Sequence, residues 1–76
     1  MPHITDIVME SLEQRPHPGE MAAKFRFVGG PLNGVGVKIK TAAGPTPEHT
    51  ERNAWANLRQ ALADADKVAD KRQRHV

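Results

Sequence analysis

The residues best suited to chemistry are cations. Lys24 and Arg26, then Lys38 and Lys40, fall at alternate positions in two short segments. On paired extended strands such residues share one face, and four cations on one face can lie along a phosphate backbone or in a groove. A second group, Lys67, Lys71, Arg72 and Arg74 with His75, crowds the C-terminal end. It reads as a basic arm for nucleic acid or an acidic protein surface. Each group also has a plain reading. An exposed hairpin face must be polar, and cations at a helix C-terminus complement its dipole. No aromatic residue interleaves with the strand cations, so a base-stacking platform is not supported.

Catalytic groupings find little support. Ser11 is the only serine and no glycine elbow surrounds it, and cysteine is absent. His3, His17, His49 and His75 show no metal-ligand spacing along one element, leaving only a grouping of His17, Glu20 and His49 assembled in space. Gly29-Gly30-Pro31-Leu32-Asn33-Gly34 lacks the Lys-Ser or Lys-Thr ending of a phosphate loop and joins two strand-like runs. The carboxylates fall at solvated positions with no apolar pocket to raise a pKa. The expectation is a protein without enzymatic activity, cofactor or metal.

The chain has 76 residues and a mass of 8.4 kDa, which sets one small domain, residues 1–76. Hydrophobic residues are 38% and charged residues 26%, too apolar for full disorder. The longest apolar run, Ile7-Val8-Met9, is far too short to span a membrane or serve as a secretion signal. The net charge of +2 hides alternation. Residues 1–23 are net −3, residues 24–45 net +4 with no acid, residues 46–66 net −2 and residues 67–76 net +3.

The elements that must position these charges follow from periodicity. Ile4, Ile7, Val8 and Leu12 match one face of a helix, so a short helix is predicted over residues 4–13, with a third strand over residues 4–12 as the alternative. Pro16, Pro18 and Gly19 break the chain. Residues 21–41 alternate as a β-hairpin. Parity selects its loop. A two-residue Asn33-Gly34 turn would put Phe27 opposite Lys40, whereas pairing Phe27 with Val37 and Phe25 with Ile39 separates phenylalanines from cations. A loop of three or five residues is therefore expected, with Gly34 at positive φ. Thr46 and Pro47 are start signals for a long helix over residues 47–72, followed by a basic tail at 73–76. The predicted core joins Phe25, Phe27, Val37 and Ile39 to Trp55, Leu58 and Leu62. The fold class is α+β: a short N-terminal helix, a two-stranded antiparallel hairpin and a long C-terminal helix packed on it. The helix is longer than the hairpin, so its last turns should project, fray or meet a partner.

The segment FRFVGGPLNG, Phe25 to Gly34, resembles one in small uncharacterised proteins of actinobacterial phages, where an aromatic strand runs into GGP-x-(D/N)-G and a second strand. It covers about ten residues and brings across no catalytic or binding residue. The resemblance implies a short phage gene product in the host cytoplasm that acts by binding host protein or nucleic acid or as a small virion part. The leading expectation is a protein that binds and modulates a host protein. Nucleic-acid binding through the two cation groups comes second, and a minor structural role in a virion third. Self-association is also expected of so small a core.

Overall fold

A computed structural model describes residues 3–14, 16 and 19–75. Three strands, β1 (Asp6–Gln14), β2 (Glu20–Val28) and β3 (Gly36–Ala42), form an antiparallel sheet in the order β1-β2-β3. The helix α1 (Pro47–Arg74) packs on one face. The α+β class and the long C-terminal helix are as expected. The predicted N-terminal helix is not present, because residues 6–14 are a strand, and the hairpin is part of a three-stranded sheet.

A β-bulge explains why that strand does not alternate in sequence. Ile7 opposes Phe27 and Met9 opposes Phe25, but the register then shifts, so Ser11 opposes Lys24 and Leu12 opposes Ala23. Glu10 is the extra residue. It turns a spacing of two into a spacing of three between Met9 and Leu12 while all three inward side chains stay on the helix side. Ile4 and Val8, half of the apparent helical stripe, are exposed.

The β2–β3 pairing keeps the expected parity but sits two residues away from the expected register. Phe25 opposes Val37 and Lys24 opposes Lys38, and Phe27 N–H donates to the Val35 carbonyl at 3.0 Å. The connection is longer than five residues because Gly30–Leu32 form a 3-10 turn. The Asn33 side chain accepts from Gly29 N–H at 2.8 Å and closes it. Gly34 has the expected positive φ, +81°.

Thr46 caps α1, its Oγ1 accepting from His49 N–H at 3.2 Å, and Pro47 occupies the first turn. Asn53 and Asn57, one turn apart, donate to the Ala42 and Lys40 carbonyls at 3.4 and 3.1 Å. These two bonds align α1 antiparallel to β3 and draw it toward that side of the sheet. The helix continues to Arg74, so Gln73 and Arg74 of the expected tail are helical, with His75 as the C-cap.

The core is Ala23, Phe25, Ala54 and Leu58, flanked by half-buried Ile7, Met9, Leu12, Val37, Ile39 and Trp55. Phe27 is also buried. Trp55 meets Phe25 edge-to-face at a centroid distance of 4.8 Å. Leu62 does not belong to the core: it is 39% exposed, because burial along the helix stops at Leu58, just past the two asparagines that tie α1 to β3. Fully buried Ala23 and Ala54 take its place, as small side chains let the helix approach the sheet closely.

One buried group lacks a partner. Thr41 is 4% exposed and its hydroxyl makes no hydrogen bond among the described residues. Thr41→Val keeps the β-branched shape and removes this hydroxyl, so it is expected to stabilise the domain by about 1 kcal/mol. A higher urea midpoint is the expected reading, and a lower one would show that the hydroxyl is satisfied.

Candidate functional site

Among the described residues no element covers the face of the sheet away from α1, and alternation along each strand decides what stands on it. β2 contributes Glu20, Ala22, Lys24, Arg26 and Val28, and β3 contributes Lys38 and Lys40. The four strand cations therefore share one surface, as expected. β1 adds Asp6, Val8, Glu10 and Glu13 to the same surface, which the helical expectation for residues 4–13 did not foresee. A signal was present in the sequence: Ile7 and Met9 two apart, then Leu12 three further on, is the apolar pattern of a bulged strand.

The geometry ties part of this surface together. Arg26 Nε lies 3.0 Å from Glu10 Oε2, and its Nη1 donates to the Gly34 carbonyl at 2.8 Å. The bulge thus places Glu10 beside Arg26. The hydrogen bond from Arg26, helped by the charges of Arg26 and Lys24 against an opposing desolvation, holds the Glu10 carboxyl below its ordinary range. Because the folded value is the lower one, this contribution is present at neutral pH and lost as Glu10 protonates on acidification. Lys24 and Lys38 stand directly opposite one another, and Lys38 and Lys40 make no ion pair among the described residues.

Among the described residues, acids and cations on the uncovered face are equal in number. Asp6, Glu10, Glu13 and Glu20 stand against Lys24, Arg26, Lys38 and Lys40. They are also segregated, with three of the acids on β1 and all four cations on β2 and β3. The basic ribbon read from residues 24–45 alone becomes one half of a neutral, two-signed surface.

The second cation group is elsewhere. Lys67, Lys71, Arg72 and Arg74 stand on the exposed last turns of α1, an element packed on the other side of the sheet, so the structure does not merge the two groups. Arg74 is also engaged by Asp70, Nε to Oδ2 3.1 Å. Val68, Lys71, Arg72 and His75 border a surface concavity of about 390 Å³ with no buried side chain in it.

Every described ionisable side chain is exposed except half-buried Lys24. Among the described residues no three His, Asp or Glu are grouped to hold a metal ion, and His17 lies outside those residues. No described helix is long and apolar enough to cross a membrane. Comparison with known protein families, characterised proteins and solved structures gives no match.

Proposed function

We propose that this is a non-enzymatic protein that acts by binding a macromolecular partner, a host protein that it modulates, and that the uncovered sheet face is the binding surface. The observation that carries this reading is the segregation of charge on that face among the described residues, three of the four acids on β1 and all four cations on β2 and β3. Complementary charge stripes set orientation and partner choice more than raw affinity. A neutral two-signed face suits a protein surface with matching stripes. It suits nucleic acid less well, because phosphates would meet the β1 acids as well as the lysines. The phage-like segment supports placing the partner in the host. The exposure of the ionisable groups supports a binding role over catalysis, which favours burial and shifted pKa values.

One observation favours the nucleic-acid reading instead. Lys24 and Lys38 are opposed like charges, and Lys38 and Lys40 make no ion pair among the described residues, so a bound anion would relieve their repulsion.

The two readings separate under one pair of variants. Cross-linking capture from an actinobacterial lysate is expected to retain a stoichiometric protein with the wild type, and to lose it with Lys38→Glu/Lys40→Glu or with Glu10→Lys/Glu13→Lys. Duplex DNA and RNA titrated at low salt are expected not to bind. Steeply salt-dependent binding that weakens with the lysine variant and strengthens with the glutamate variant would replace the protein partner with nucleic acid.

A further inference from the structure

The helix is exposed well before it ends and the sheet is covered unevenly, so two surfaces are left bare. The 28 residues of α1 extend ~42 Å, whereas the seven of β3 extend ~23 Å. Burial along α1 stops at Leu58, and every residue from Arg59 to His75 is exposed. Yet the apolar stripe that starts with Ala54 and Leu58 continues through Leu62, Ala65, Val68 and Ala69, with Val68 59% exposed. On the sheet, Asn53 and Asn57 hold α1 toward β3. The inward side chains of β2 are buried at Ala23, Phe25 and Phe27, while those of β1, Ile7, Met9 and Leu12, are only half-buried.

We propose that a second copy of this chain covers both surfaces. In this dimer the projecting halves of the two helices run antiparallel, and each lies along the β1 side of the other copy's sheet. The lengths agree: residues 59–75 extend ~25 Å as helix, and the nine residues of β1 extend ~30 Å. The charges agree as well. β1 carries Asp6, Glu10 and Glu13 and no cation, while residues 67–74 carry Lys67, Lys71, Arg72 and Arg74 against Asp70 alone. β1 is an edge strand, so long basic side chains on a helix lying along it reach those acids around the edge. Both surfaces occur once per copy, so a two-fold axis pairs each with its complement and closes the assembly at two. The arrangement draws on the β1 acids at the sheet edge but leaves Lys38 and Lys40 free, so Lys38→Glu/Lys40→Glu, which should abolish the partner binding proposed above and spare the dimer, tells the two apart.

Sedimentation velocity from micromolar to submillimolar protein tests it. The expected result is twice the 8.4 kDa chain mass at the upper end. Leu62→Glu/Val68→Glu is expected to raise the dissociation constant roughly tenfold or more, with the circular dichroism of dilute protein unchanged, because both side chains are exposed in the single chain. The chain has no cysteine, so introduced thiols report geometry cleanly. A mixture of Leu12→Cys and Val68→Cys copies is expected to cross-link on mild oxidation faster than either alone. A chain that remains monomeric throughout overturns the proposal. So does a dimer that survives Leu62→Glu/Val68→Glu, or one that is lost with Lys38→Glu/Lys40→Glu.

Discussion

Phe25→Ala is expected to strip the chain of a large share of its stability, bringing it to the edge of unfolding without denaturant. The Phe25 side chain is fully buried, stands between Met9 and Val37 on the neighbouring strands, and packs edge-to-face on Trp55. Truncating a buried phenylalanine costs about 3–5 kcal/mol. At ~0.05–0.15 kcal/mol per residue, a chain of this length has a total stability of roughly 4–11 kcal/mol. Core truncation therefore removes between about a quarter and all of it. Trp55, the single tryptophan, touches the altered site, and its fluorescence through a urea titration is the direct readout. Wild-type unfolding in the variant would show that the sheet and helix are held together elsewhere.

Gly29→Ala is expected to be the most damaging change outside the core, costing about 2–4 kcal/mol. Gly29 has φ +85° and ψ 160°, a conformation open essentially to glycine alone. A Cβ there would also lie 2.8 Å from the His3 carbonyl oxygen and 2.9 Å from Thr5 Oγ1. Something must shift, and what shifts is the start of β1, where Thr5 N–H donates to the Val28 carbonyl at 2.8 Å. Gly34→Ala is the comparison. Gly34 has a similar φ, +81°, but open space around it, so its cost should be nearer 1 kcal/mol. Urea midpoints of the two variants separate backbone conformation from steric clash. Equal losses would mean that the approach of residues 3–5 to the turn contributes nothing.

Gly29 also shows what kind of information a sequence carries. The turn residues announce a turn, and the parity of Phe25, Phe27, Val37 and Ile39 assigns their shared face. Parity cannot distinguish registers two residues apart, and the side-chain bond from Asn33 that fixes the loop has no periodic signature. Thr46-Pro47 marks the helix start because capping is local chemistry. The identity of β1 is hidden because the bulge at Glu10 converts alternation into spacing that imitates a helix. That one residue also carries the misjudged part of the candidate site: the common face of the four cations follows from the hairpin alone, but its charge balance depends on the acids of β1. In the core, Leu62 continues the helical stripe, yet how far the helix stays against the sheet decides where burial ends, and the stripe does not encode that. Ala23 and Ala54 are central for closeness of approach, not bulk.

The asparagine pair on α1 has a consequence beyond anchoring the helix. The carbonyls of Lys40 and Ala42 point away from β2, along the outer margin of the sheet, where an incoming strand from another molecule would otherwise add. On the opposite margin, the bulge and the three acids of β1 disfavour growth by a like strand. Detaching α1 would open the β3 margin as a template for fibrils, so resistance to amyloid-like polymerisation should fall as soon as the helix lifts, before the sheet itself comes apart.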